Sequence, residues 1–172
     1  MAAPRKYRRA AGTSDRTRYD KDAPQKLLFS DVPARLSYVG TDGDPRVVPA
    51  AFWWTGDTIV IATAVKSAKV TAIRKHPRVA LCVDKPGIPP RSLLIRGAAT
   101  VDIVDGVPDE YVAGSRKITP AEAMPAWEAG VRALYAQMAV ITIQPDHVVL
   151  HDFETTIPKA VADLIAAHGD PR

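Results

Sequence analysis

Two β-rich runs on either side of Thr41-Asp42-Gly43-Asp44 constrain this chain more than any other feature. An Asp-Gly pair between segments of alternating side chains signals an antiparallel hairpin, because glycine accepts the positive φ that a tight connection requires. The pattern predicts a strand over residues 34–39, a second over 45–54, a reversal at Thr55-Gly56-Asp57 and a third strand, rich in β-branched residues, over 58–63. Three consecutive antiparallel strands commit this half of the chain to a meander.

The remaining elements extend that plan. A short helix is predicted over 25–30. Residues 67–75 read as a helix with Val70 and Ile73 on one face, placed to cover the sheet and stopped by His76-Pro77. A strand over 78–83, the loop Lys85-Pro86-Gly87-Ile88-Pro89-Pro90 and a long strand over 92–104, bent at Gly97, follow. Helices are predicted over 108–115 and 120–137, with Pro125 either in the first turns of the latter or dividing it. Strands over 139–143 and 147–153 flank a turn at Gln144-Pro145-Asp146. A closing helix over 158–168 carries Val161, Leu164 and Ile165 on one face. Six or seven strands with few helices predict a mostly β fold with flanking helices, an antiparallel barrel whose closure removes exposed sheet edges.

A chain of 172 residues, 47% hydrophobic and 24% charged, suits one globular domain with a real core. No apolar run approaches the roughly 18 residues of a membrane helix, and the basic start lacks the apolar middle of a secretory signal. Cys82, alone in the run VALCVD, reads as a buried small hydrophobe in a reducing compartment, so the expectation is a soluble cytoplasmic protein. The net charge of +4 is local: residues 1–24 hold seven basic and three acidic side chains, and the body from 25 to 172 balances at 16 of each. This division predicts a mobile basic arm over 1–24 and a single domain over 25–172. Nucleic-acid binding by the arm is the weaker reading, since no base-reading motif follows it.

The chemistry concentrates where the third strand empties into the next helix. Thr63, Lys66, Ser67 and Lys69 lie within seven residues, and the free N–H groups and positive dipole end of the helix starting near Ser67 add to them. Hydroxyls, ammonium groups and a helix N-terminus together make a phosphate site, so the expected ligand is a phosphorylated cofactor. No Gly-x-Ser-x-Gly, His-Glu-x-x-His or Gly-x-Gly-x-x-Gly motif is present, which leaves hydrolase, zinc protease and Rossmann readings without their mechanical parts. His147 and His151 share a strand face but stand about 13 Å apart, too far to hold one metal ion, so no metal site is expected. No catalytic acid, base or nucleophile stands out.

The order ARLSYVGTDGDPRVVPAAFWW, TIVIAT, KSAKVTAIRKHPRVALCVD and RSLLIRGAATV resembles the pyridoxamine 5'-phosphate oxidase-like split β-barrel flavoproteins, over residues 32–153. The resemblance implies a homodimer with flavin mononucleotide (FMN), or the related deazaflavin coenzyme F-420, in a groove between protomers. Thr63, Ser67 and Lys69 match the family's phosphate positions, with Lys66 a further cation beside them. Val48, Pro49, Ala50 and Ala51 match the strand whose backbone lies along the flavin ring, and Ser92 falls where the family often places a polar contact to it. Ala68 departs from the pattern, standing where true pyridoxamine phosphate oxidases often carry an arginine. The resemblance thus implies an oxidoreductase acting on a small molecule, with a non-enzymatic flavin carrier or sensor as the reading from another class. Lys66, Arg91 and the arm are candidates for the longer anionic tail of a deazaflavin. Phe52, Trp53, Trp54, Leu93 and Ile95, on alternating strand faces, exceed what one interior is expected to hold and so also point to a dimer.

Overall fold

The computed structural model describes residues 22–153, 155 and 158–168. The proposed arm over 1–24 therefore lies outside the described residues up to residue 21. Helix α1, Asp22–Leu28, already includes the arm's last three positions and ends two residues before the predicted limit. Seven strands follow: β1 Ala34–Val39, β2 Pro45–Ala50, β3 Trp53–Trp54, β4 Ile59–Ala64, β5 Arg78–Lys85, β6 Arg91–Asp105 and β7 Gln137–Asp152. Helix α2, Ala68–Lys75, joins β4 to β5; α3, Asp109–Arg116, and α4, Met124–Leu134, lie between β6 and β7. Helix α5, Lys159–His168, follows β7, and Val161 and Leu164 on its apolar face are exposed. No helix of the described residues is long and apolar enough to cross a membrane.

The seven strands form one antiparallel sheet in the order β2-β1-β5-β6-β7-β4-β3. The predicted strand over 45–54 is in fact two. Its first part pairs with β1, from Val39↔Pro45 to Ala34↔Ala50, while Trp53 and Trp54 pair with Val60 and Ile59 at the opposite edge of the sheet. Three Cα steps separate Ala50 from Trp53, so the two edges stand no more than about 11 Å apart. The sheet is therefore curled into a split barrel, with Ala51 and Phe52 crossing its seam. Phe52, only 2% exposed, turns inward there and joins Leu36, Ile59, Leu81, Leu93, Ile95, Ile141 and Ile143 in the main core. Trp54 joins the same core, and Trp53 packs against a second apolar cluster.

The predicted turn at Gln144-Pro145-Asp146 is a β-bulge inside one unbroken strand. Arg96 lies opposite His147 and Gly97 opposite Pro145, which leaves Asp146 without a cross-strand partner. A proline donates no N–H to a ladder, and a bulge is where a strand tolerates it. The predicted bend at Gly97 is the other half of the same irregularity: a Cβ there would lie 2.2 Å from the Gln144 carbonyl oxygen. The displaced Asp146 carboxylate accepts from both Nη atoms of Arg78, and that guanidinium holds its pKa below the usual carboxylate value.

Strand β4 is buried on both faces. Ile59 and Ile61 enter the main core, while Val60 and Ala62 meet Val104, Val107, Val112, Met124, Met138 and Val140 beneath α3 and α4. The predicted helix over 120–137 contracts to α4, and Pro125 sits at its start, where its missing N–H costs nothing. As expected, α2 buries Val70 and Ile73. Cys82, expected in the core, is half-buried on the outer face, where partial burial and then Asp84 push its thiol pKa up.

Candidate functional site

Helix α3 crosses the barrel seam at very short range, and this contact builds the site. A Cβ on Gly114 would lie 2.9 Å from both the carbonyl carbon and the oxygen of Phe52, so only glycine lets α3 lie on that peptide. One turn on, Lys117 places its ammonium 3.7 Å from the centroid of the Phe52 ring and donates to the Leu28 carbonyl at 2.9 Å. The helix is thus tied to the seam and to α1 together.

A cavity of about 320 Å³ opens between α3 and the barrel. Pro49, Ala50 and Ala51 form one wall, Ile61 and Ala62 its floor, and Tyr111, Ser115, Ile118, Thr119 and Trp127 the facing wall; Lys69 enters from α2. Lys69 is the sole charged side chain in this lining. Its Nζ donates to Thr63 Oγ1 at 3.2 Å, and partial burial lowers its pKa. The partner is a neutral hydroxyl, so the ammonium sits partly desolvated with no carboxylate of the described residues against it. An anion beside it would offset that burial.

Of the residues singled out in the sequence, Pro49, Ala50, Ala51 and Lys69 line this cavity, and Thr63 touches Lys69. Ser67 is the N-cap of α2, and its hydroxyl makes no capping bond. Ala68 and Lys69 are the first two residues of that helix, whose initial N–H groups have no partner within the helix. Lys66 and Ala68 are exposed, and Val48 packs against the main core. Ser92 is not gathered with the others. It stands opposite Asp84 and His151, nine residues along β6 from Val101, which pairs beside the cavity floor. That is roughly 30 Å of strand. Arg91, next to it, pairs with Asp152 at 3.1 Å and lines a separate cleft of about 520 Å³ with Lys26, Asp31 and Lys85. Within the described residues of this chain, Lys66 and Arg91 therefore do not share one basic groove.

The facing wall was not singled out from sequence. Tyr111 and Trp127 stack with ring centroids 5.5 Å apart and planes at 30°, one from α3 and one from α4. Burial raises the Tyr111 pKa, with Tyr135 adding to it. The signal available was Tyr111 and Ser115 at i, i+4 on one helical face, beside a glycine at 114.

The sequence profile described as pyridoxamine 5'-phosphate oxidase matches residues 21–151. The chain belongs to that family. No curated protein matches it. Among solved structures of this family's fold, an F420 reductase is 26% identical, with a TM-score of 0.57, and the match covers 73% of this chain and 94% of that one. The General Stress Protein 26 from Bacillus anthracis is 17% identical, with a TM-score of 0.55 and coverage of 77% and 93%. The heme storage protein from Vibrio cholerae is 13% identical, with a TM-score of 0.54 and coverage of 73% and 90%. The last two likenesses concern the split-barrel fold alone. Neighbours of this fold are thus described both as an enzyme and as a storage protein, and family membership with the likeness to an F420 reductase points to flavin or deazaflavin binding without choosing between them.

Lys117, beside the seam, gives the fold a pH signature. Burial, opposed by Asp31, lowers its pKa from 10.5 to about 8. Between those values the unfolded chain binds a proton that the folded chain has lost, so this group makes stability rise from pH 8 to 10.5. Urea unfolding at both ends of that window should show a larger gain for the wild type than for Lys117→Met. Equal gains would mean that the buried amine does not titrate there.

Proposed function

We propose that this chain is an oxidoreductase that holds a phosphorylated flavin, FMN in the first instance, and acts on a small molecule. The observation that carries this reading is the Lys69 ammonium, partly desolvated and paired only with a hydroxyl, at the end of a cavity whose wall is the small-residue run Pro49-Ala50-Ala51. In it Lys69, Thr63, Ser67 and the first N–H groups of α2 bind the phosphate, the ammonium supplying the charge-assisted bond. Pro49, Ala50 and Ala51 let a planar ring approach their backbone. The ring supplies hydride or electron transfer when bound, while the protein's part is to position it and exclude water.

The deazaflavin coenzyme is the second reading, favoured by the 26% identity to an F420 reductase. An absorption spectrum of the purified protein and the mass of the released ligand separate the two. Failure to bind either, on adding FMN or the deazaflavin, would overturn the proposal. A carrier or sensor would bind flavin equally well, and turnover with any reductant–acceptor pair tells it from an enzyme.

Pyridoxamine 5'-phosphate should be a poor substrate. It brings its own phosphate, and the cavity lining offers no cation besides Lys69, with Ala68 where an arginine is frequent. Peroxide release from flavin-loaded protein at about 1 s⁻¹ or faster would contradict this.

A homodimer belongs to the same proposal, on a basis different from the sequence argument. Phe52, Trp54, Leu93 and Ile95 all fit within one core, and Trp53 packs against the second cluster. The unsatisfied apolar surface lies instead on the outside of the barrel, where Leu94 and Val47 are exposed and Ala80, Cys82 and Val149 line a shallow cleft with Arg96 and His147. A second copy covering this face would bury it. Sedimentation at micromolar concentration should give a dimer, and a monomer alone would defeat this part of the proposal.

A further inference from the structure

We propose that the stacked pair Tyr111 and Trp127 forms the aromatic wall of the ring site, so that the bound tricyclic ring lies between these side chains and the backbone of Pro49-Ala50-Ala51; this rests on the cofactor reading above. The pair is half-buried, and both residues face the same cavity as Lys69. A half-buried aromatic pair presents a flat, polarisable surface to a planar ligand. The cavity, at about 320 Å³, lies at the small end of ligand sites and suits one flat ring system. A phosphate held at Lys69 leaves the aromatic wall to the cofactor's own ring.

The wall is held in place before any ligand arrives. Gly114 and Lys117 tie α3 to the seam and to α1, as described above. Helix α4 is held by Arg132, whose guanidinium donates to the Val107 carbonyl at 3.1 Å and to Glu128 at 2.9 Å, while Arg116 of α3 reaches Glu128 at 3.7 Å. Placement of this kind lowers the ordering cost of binding. Ser115 and Thr119, on the same wall, add hydroxyls that can meet the polar edge of a flavin.

The test uses two ligands that share a ring and differ in phosphate, FMN and riboflavin. Adding FMN to the wild type should quench tryptophan emission, and Trp127→Phe, which keeps an aromatic side chain there, should remove the share of that quench that belongs to Trp127, leaving that of Trp53 and Trp54. Trp127→Leu and Tyr111→Leu should each weaken FMN and riboflavin alike, about tenfold. Lys69→Ala should weaken FMN and leave riboflavin unchanged. Binding of FMN with the same quench in Trp127→Phe, and unchanged affinity for both ligands in the leucine variants, would overturn the aromatic wall while leaving the flavin reading intact. If the wild type binds neither FMN, riboflavin nor the deazaflavin coenzyme, both the function and the wall are wrong.

Discussion

Lys69→Ala should weaken FMN affinity by roughly 1.5–3 kcal/mol, about ten- to a hundredfold, with the fold intact. The size follows from the environment of the ammonium. It is partly buried, its pKa is lowered by that burial, and its hydrogen-bond partner is the uncharged Thr63 hydroxyl. A phosphate set against it gains a charge-assisted bond in a site where water screens poorly. Lys66, three residues earlier and exposed, should contribute little, so Lys66→Ala serves as the control. Equal affinity for wild type and Lys69→Ala in a fluorescence titration would remove Lys69 from the phosphate site.

The largest effect on stability is expected at Gly97. A side chain there meets the backbone carbonyl of Gln144 at 2.2 Å, and backbone within a paired strand cannot swing aside as the end of a flexible side chain can. Gly97→Val should cost about 3 kcal/mol or more, a large share of the 5–15 kcal/mol that holds a typical domain together. For a chain of this length that corresponds to a fall in melting temperature of roughly 10 °C. Gly130 is the counter-case. It lies in α4 with nothing within 4 Å of a Cβ, so Gly130→Ala should stabilise the helix by about 0.5–1 kcal/mol. Calorimetry that finds the two variants alike would refute the bulge argument.

What could be read from the sequence was what neighbouring residues decide. The Asp42-Gly43 turn, the β-branched run of β4, the start of α2 after Ser67 and the place of Pro125 all depend on a few adjacent side chains, and all appear as expected. The two errors in the sheet share one cause, a distant partner. Ala51 and Phe52 continue the apolar pattern of β2, so nothing local announces that Trp53 will pair on the other edge of the sheet. Gln144-Pro145-Asp146 has the composition of a turn, and only Gly97 across the ladder makes it a bulge. The candidate site divides in the same way. Thr63, Ser67, Ala68 and Lys69 form a local motif, whereas Tyr111 and Ser115 reach the cavity on α3, which Gly114 lets settle on the seam, and Trp127 of α4 stacks on Tyr111.

That seam also governs how the chain acquires its site. The residues on either side of Ala51-Phe52 are held close by the chain itself, yet their strands stand at the two ends of the hydrogen-bonded order, so the closed barrel exists only once β1, β5, β6, β7 and β4 have paired in between. The short link keeps the two edges together from the outset, and the loop-closure entropy is met in pairing the strands between them. The cavity is bounded by both sides of the seam and by the helix laid over it. A partly folded chain therefore has no weakened version of the cavity; it has none. Any ligand that fits there binds the finished barrel alone, and its binding energy is transmitted in full to the global unfolding equilibrium.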